Sequence, residues 1–187
     1  MNLFSSCIPL SIFIPFILTI HAATAQNLII STCKTSSQVD PNIDYTFCTT
    51  SLQSTPAASQ CTTLQGLGAI SITLIRHNLT DTCSYIKRLM RYNGKWNPYS
   101  KQCLSDCFDL FSDATDYIED AMNYYDTEKF DDANERITSV MDGVTTCEDG
   151  FKERRGVVSP LSKRNDDVFR LSAVALSVMR MVQTGSG

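Results

Sequence analysis

Apolar residues recur at intervals of three and four along most of the chain, which is the spacing of one face of an α-helix. Four long segments carry this pattern, and they cover Leu64–Met90, Pro98–Tyr125, Lys129–Lys152 and Asp166–Val182. The second segment is the most clearly amphipathic, because its carboxylates lie mostly away from its apolar face. The fourth is apolar over most of its circumference, so we expect it to be the most buried. The pattern predicts an all-α fold, an up-down-up-down four-helix bundle over about residues 62–184.

The region before the bundle divides into two parts. The first 25 residues carry no charged side chain, Ile8–Ile20 is largely apolar, and Ala23-Thr24-Ala25 supplies small residues. These features predict a secretory signal at residues 1–25, removed before Gln26, more strongly than a membrane anchor, which needs a longer unbroken span. Asn27–Ser54 is polar and rich in Thr and Ser, with a turn at Asp40-Pro41-Asn42.

Composition narrows the functional classes for the predicted secreted domain at residues 26–187. The formal net charge is −4, which gives no basic footprint for nucleic acid. No later segment predicts a membrane span, so we expect no membrane association after signal removal. Asn78-Leu79-Thr80 is a glycosylation sequon with Asn78 as the acceptor.

Seven cysteines follow the predicted signal, and in a secreted chain they indicate disulfides. Residues equidistant from the turn of an antiparallel hairpin lie at the same height, so the midpoint of a bridged pair should fall in the turn. This rule pairs Cys33 with Cys48, Cys83 with Cys103 and Cys107 with Cys147, with midpoints at Asp40-Pro41, Asn93 and Thr127. Cys61 is left over, either free and buried or paired between chains.

Candidate catalytic residues are few. His77 is the only histidine after the predicted signal, and we expect it to be exposed. Cys103 and Cys107 share a helical face, but we interpret them as separate disulfide partners and not as half of a metal site. A run of aspartates at helical spacing fits a solvated face or a binding face for a basic partner better than a catalytic pair; it comprises Asp106, Asp109, Asp113 and Asp116. We therefore predict no enzymatic activity, no metal and no cofactor.

Several local sequences resemble the plant invertase and pectin methylesterase inhibitors. They are Cys33-Lys34-Thr35, Phe47-Cys48, Leu104-Ser105-Asp106-Cys107 and Thr146-Cys147-Glu148-Asp149-Gly150-Phe151. Leu64–Gly68 and Cys147–Glu153, with Ser159-Pro160, resemble the plane-tree pollen allergen subgroup of that family, described as invertase inhibitors. The resemblance covers about Cys33–Val182. It implies a four-helix bundle, an N-terminal helical hairpin at about residues 27–55, and the bridges Cys33–Cys48 and Cys107–Cys147.

The resemblance also implies a function, inhibition of a plant cell-wall enzyme in a 1:1 complex in the apoplast. In an invertase inhibitor of the family, a Pro-Lys-Phe turn enters the sucrose site, and the matching turn here is Glu128-Lys129-Phe130. Lys129 would pair with the two carboxylates of a glycosidase while Phe130 anchors the turn, although Phe130 fits equally well as a core residue of the third helix. Proline in place of Glu128 would then be expected to tighten binding.

Two alternatives to invertase inhibition remain open at this point. The first is inhibition of pectin methylesterase, for which the resemblance implies acidic contacts on the middle helices, with Asp106, Asp109 and Asp113 as candidates. The second is a non-inhibitory pollen or seed protein that kept the scaffold. The Lys129-Phe130 match favours invertase.

Overall fold

The structure is a computed structural model that describes residues 13–91 and 96–185, with side chains from residue 23 onward. Six α-helices and no strand lie within these residues, so the all-helical prediction is confirmed. The helices are α1 (Phe13–Val39), α2 (Tyr45–Gln53), α3 (Leu64–Arg91), α4 (Pro98–Asp126), α5 (Phe130–Lys152) and α6 (Ser162–Thr184), with a 3₁₀ turn at Ala58–Gln60. Residues 1–12 of the predicted signal and the predicted Asn93-Gly94 turn lie outside the described residues.

The helices α3 to α6, which we call the four-helix core, correspond to the four segments of the sequence pattern. The neighbouring pairs are α3–α4, α4–α5, α5–α6 and α3–α6. Contacts between the start of one helix and the end of the next show that consecutive helices run antiparallel. Tyr125 donates a hydrogen bond to the Gln65 carbonyl at 2.9 Å, Tyr99 to that of Gly150 at 2.6 Å, and Gln183 to the Asp131 carboxylate at 3.1 Å.

Helix α6 begins at Ser162, one turn earlier than the sequence pattern indicated. The cause is Glu148 on α5, which accepts hydrogen bonds of 2.8 Å from both Ser162 and Asn165. These hydrogen bonds connect the first turn of α6 to α5. Because that turn is polar, the pattern of apolar residues did not indicate that it is helical. Glu148 belongs to the Cys147–Phe151 motif, so this part of the motif joins two helices.

The N-terminal hairpin is formed by α1 and α2, joined by the Cys33–Cys48 disulfide. Asp44 caps α2, because its carboxylate accepts a 2.7 Å hydrogen bond from the Phe47 backbone N–H. The hairpin buries a second apolar cluster against α3 and α6, which includes Ile29, Leu52, Leu67, Val174 and Val178. The hairpin is therefore docked on the four-helix core.

Helix α1 runs through the predicted cleavage position before Gln26, and Ala25 is buried there. Removal of residues 1–25 would leave the part of α1 that carries Ile29 and Cys33. No helix among the described residues is both long enough and apolar enough to cross a membrane.

The predicted Cys83–Cys103 disulfide is wrong, because both thiols are free in the structure. Across α3 and α4, Lys87 faces Phe108 at 5.0 Å and Arg76 pairs with Glu119 at 3.4 Å. This register places Cys83 beside Thr115, and Cys103 lies about 18 Å further along α4. The Cys103 thiol instead faces the Gly150 carbonyl of α5 at 3.5 Å.

The other two predicted bridges, Cys33–Cys48 and Cys107–Cys147, are present with Cα atoms 5.7 and 4.9 Å apart. Cys61 is a free thiol, as one interpretation expected, but it is half-buried and not fully buried. Its Sγ lies 3.3 Å from the Thr63 carbonyl.

Candidate inhibitory turn

The turn between α4 and α5 is built by the end of α4. The Lys129 N–H donates to the Tyr124 carbonyl at 2.8 Å and the Glu128 N–H to the Tyr125 carbonyl at 3.1 Å. This pair of bonds is a Schellman motif, in which the residue after the helix takes a left-handed backbone. Glu128 occupies that position with φ +57°, the one non-glycine residue with positive φ among those described.

The backbone of Glu128 overturns one expectation from the sequence. Proline fixes φ near −65° and so cannot adopt the conformation found here. A Glu128→Pro substitution would break the Schellman motif instead of stiffening the turn. A proline at this position would therefore need a different backbone path from the one that Glu128 takes.

Lys129 and Phe130 point to different environments. Lys129 is exposed directly before α5, and its Nζ lies 6.0 Å from the centre of the Tyr124 ring. Phe130 is half-buried and contacts Tyr125 edge to face, with ring centroids 5.4 Å apart. The Lys129 side chain is therefore accessible to a partner, whereas much of the Phe130 side chain is packed against the core.

Beneath the turn, Tyr125 fixes the ends of α3 and α4. Its hydroxyl donates to the Gln65 carbonyl, and burial raises the pKa of Tyr125 to about 12, so it remains a donor at every physiological pH. A Cβ at position 68 would clash with that hydroxyl oxygen. Glycine at this position of the Leu64–Gly68 sequence therefore leaves room for the Tyr125 side chain. Buried Tyr125 thus connects the end of α4, directly before the turn, to the start of α3.

The surface around Lys129 is acidic. Asp126, Glu128, Asp131 and Asp132 are all exposed, while Lys129 forms no ion pair with any residue in the described ranges. Lys129 is therefore an isolated cation at the tip of an acidic end of the molecule, which we call the turn end.

The alternative candidates, Asp106, Asp109 and Asp113, are exposed together on α4. Asp106 accepts a 2.7 Å hydrogen bond from Gln102, and Asp109 and Asp113 face solvent. With a rise of 1.5 Å per residue, this acidic face lies roughly 20–30 Å along α4 from Lys129. The structure thus holds two separate candidate surfaces and does not bring them together.

The remaining predicted residues have plain environments. His77 is exposed on α3, as expected. Asn78 is half-buried, and its side-chain amide donates to the Leu74 carbonyl at 2.9 Å. No cluster of potential metal ligands was found among the described residues.

Two features of the site were missed from sequence. Tyr124 supports the Lys129 side chain, and Glu128 occupies the left-handed position that glycine usually fills. A Gly after α4 would have revealed the Schellman motif. With Glu in its place, only the backbone hydrogen bonds and the φ of Glu128 show it.

Comparison with known proteins connects this geometry to a family. The sequence profile of the family described as "Plant invertase/pectin methylesterase inhibitor" matches residues 27–178. A protein named "Putative invertase inhibitor" from Platanus acerifolia is 34% identical over 96% of this chain and 97% of its own length. A protein of the same name from Platanus orientalis is 33% identical over 89% of this chain and 96% of its own length. "Pectinesterase inhibitor 12" of Arabidopsis thaliana is 28% identical over 86% of this chain and 90% of its own length.

Solved structures show the same fold. A pectin methylesterase inhibitor from Arabidopsis thaliana matches with a TM-score of 0.58 at 21% identity, over 83% of this chain and 95% of that one. A mutant form of an Arabidopsis pectin methylesterase inhibitor matches with a TM-score of 0.64 at 23% identity, over 73% and 89% of the two chains.

Proposed function

Because the chain belongs to the plant invertase/pectin methylesterase inhibitor family, we propose that it is a secreted protein that inhibits an invertase in a 1:1 complex. The proposal includes removal of residues 1–25 and action in the apoplast. Two Platanus relatives carry the name of invertase inhibitor at 34% and 33% identity, which supports this target.

The observation that carries the proposal is the isolated cation at the turn end. Lys129 is exposed without an ion pair in the described part of the chain, and its Nζ lies 6.0 Å from the centre of the Tyr124 ring. A glycosidase active site holds two carboxylates, so an ammonium inserted between them gains two charge-assisted contacts. Phe130 is half-buried, so its part is to hold the start of α5 in place while Lys129 makes the contact.

Substitution of Lys129 tests the proposal. Lys129→Ala should weaken inhibition of an acid invertase roughly 30-fold, the effect of losing an anchor of about 2 kcal/mol. Its melting temperature should match that of the unaltered protein, since Lys129 is exposed. Lys101→Ala is the matched control, because Lys101 is also exposed and lies near the other end of α4. Equal inhibition by the Lys129→Ala variant and the unaltered protein would contradict the proposal.

Pectin methylesterase is the second candidate target. The exposed carboxylates of Asp109 and Asp113 favour it, because they face solvent and offer a uniform charge to a basic partner. If this face is the inhibitory surface, Asp109→Lys should abolish inhibition of pectin methylesterase while Lys129→Ala leaves it intact. A protein that inhibits neither enzyme would be a non-inhibitory member on the same scaffold.

A further inference from the structure

The end of the four-helix core opposite the turn end carries a group of cations. Helix α3 has three basic residues and no carboxylate after Asp81. Trp96 donates to the Leu89 carbonyl at 3.2 Å, and Tyr99 to that of Gly150, so the end of α3, the start of α4 and the end of α5 meet here. We call this surface the basic end. It comprises Lys87, Arg88, Arg91, Lys101, Arg154 and Arg155, all exposed.

These six cations form no ion pair with any of the described residues, and several of the nearby acids are engaged by other basic residues. Asp149 pairs with Lys152 at 3.1 Å, Asp167 with Lys163 at 2.6 Å and Asp166 with Arg170 at 2.9 Å. Arg164 pairs with Asp81 at 2.6 Å, and this hydrogen bond holds the pKa of Asp81 below its ordinary value. Glu153 is the exposed carboxylate within the basic end that no ion pair engages.

Aromatic rings hold several of the guanidinium groups in place. Arg88 and Arg164 both lie against the ring of Tyr85, at 5.1 and 4.3 Å from its centre, and Arg154 lies 5.3 Å from that of Tyr99. A guanidinium stacked on a ring keeps its N–H edge free for carboxylate oxygens. The basic end is therefore partly ordered before any partner arrives, which lowers the entropy cost of binding.

The negative charge of the whole chain determines where a polyanion can bind. The chain has a formal net charge of −4, so a polyanion is repelled by most of the molecule and attracted to the basic end alone. A flexible linear polyanion can cross the three helix ends and contact several cations at once. Among the described residues of this end, the exposed large apolar side chains are Met90 and Val158, and two such side chains are too few to insert into a bilayer.

We propose that the basic end binds a polyuronate, a linear carbohydrate polymer with a carboxylate on each sugar. The choice of a polyuronate over other polyanions rests on the proposed function, because an inhibitor of a plant cell-wall enzyme acts where this polymer is abundant. Binding at the basic end leaves Lys129 pointing away from the polymer. The protein would then be retained in the wall while its turn end stays free to meet an enzyme.

The test uses charge reversal at Arg91 and Arg155, two exposed residues that form no ion pair with any of the described residues. The purified protein should bind polygalacturonate, bind fully methyl-esterified polymer far less, and lose binding as salt is added. Arg91→Glu with Arg155→Glu should weaken binding roughly tenfold or more, because each change removes an attraction and adds a repulsion. Lys34→Glu with Arg180→Glu is the control, since it makes the same charge change at exposed residues elsewhere.

Three outcomes would overturn the proposal. Equal losses in the two double variants would show that only net charge matters. Equal binding of the esterified polymer would show that the carboxylates are not recognised. Tighter binding to phosphatidylserine vesicles than to polygalacturonate at matched charge would assign the surface to a membrane.

The test also separates this proposal from the inhibitory function. The Arg91→Glu, Arg155→Glu variant should inhibit invertase with sucrose as substrate as well as the unaltered protein does. Lys129→Ala should bind polygalacturonate normally. Failure of the inhibitory function would appear in the Lys129→Ala assay alone, and failure of the polyuronate proposal in the binding assay alone.

Discussion

Glu128 shows how one residue determines the form of the candidate site. Its φ of +57° puts a β-carbon in the left-handed region, where it crowds the neighbouring carbonyl oxygen. The two Schellman hydrogen bonds from Glu128 and Lys129 compensate this strain. The backbone that presents Lys129 is thus held by hydrogen bonds to α4 and not by a residue that prefers the conformation.

Replacing Glu128 with glycine should stabilise the protein. Glycine adopts positive φ without crowding, so the gain should be about 1 kcal/mol, or roughly 2–4 °C in melting temperature for a domain of this size. Glu128→Ala removes the same charge but keeps a β-carbon, so it should give no comparable increase. Thermal unfolding of the two variants measures this difference. An equal increase in both would mean that charge repulsion at the turn end, and not backbone strain, limits stability.

Among the elements, the pairs α4–α5 and α3–α4 show what a hairpin rule can predict. The connection from Asp126 to Phe130 is short, so the midpoint of Cys107 and Cys147 lies close to the true turn. The connection from Arg91 to Pro98 is longer, and the contact of Lys87 with Phe108 shows that the centre of symmetry lies after Asn93. The longer connection shifts the register of α4 against α3 by roughly 9–12 residues, or about three helical turns, and no spacing in the sequence reports that shift.

Counting thiols tests this register. Denatured but unreduced protein lacking residues 1–25 should show three reactive thiols, which belong to Cys61, Cys83 and Cys103. In the native protein, Cys83 should react more slowly than it does after denaturation, because burial raises its pKa and lowers the fraction of thiolate. Full reduction, which should expose seven thiols, is the control. A single reactive thiol in the unreduced sample would contradict this and would support the predicted Cys83–Cys103 disulfide.

The N-terminal hairpin shows a second limit of pattern reading. Helices α1 and α2 bury small polar residues, including Thr32, Ser36 and Thr49, so their buried faces do not read as apolar. Thr49 donates to the Tyr45 carbonyl at 2.9 Å within its own helix, and Ser36 accepts from Ser177 of α6 at 2.9 Å. The turn at Asp40-Pro41-Asn42 and the Cys33–Cys48 pair were predicted from the residues, but only the family resemblance predicted that the two arms are helical, whereas the amphipathic helices α3 to α5 were clear from spacing alone.

At the scale of the whole molecule, the four-helix core has two ends of opposite character. The turn end presents carboxylates around one isolated lysine, and the basic end presents guanidinium groups on tyrosine rings. The residues of the turn end are neighbours in the sequence, from Asp126 to Asp132, whereas antiparallel packing brings those of the basic end together from three segments. The composition gives only the formal net charge of −4, which does not show that charges of opposite sign are concentrated at two ends.

The two disulfides lie in different parts of this molecule. Cys107–Cys147 closes a loop of sequence separation 40 inside the four-helix core, between α4 and α5. Cys33–Cys48 closes one of separation 15 within the N-terminal hairpin. By the loop-entropy relation, their removal should cost about 4 and 3 kcal/mol respectively. These costs are similar, but the parts of the structure that should open are different.

Replacing each cysteine pair with serine should therefore lower the melting temperature in both cases while affecting different amides. Without Cys33–Cys48, the amides of α1 and α2 should exchange faster, whereas those of α4 and α5 keep their protection, because the hairpin contacts the core mainly through α6 and the start of α3. Without Cys107–Cys147, protection should fall throughout the four-helix core. Hydrogen exchange measured by mass spectrometry distinguishes the two patterns. Uniform loss of protection in the Cys33→Ser, Cys48→Ser variant would instead show that the hairpin and the core unfold as one unit, in which case the hairpin supports the turn end as well.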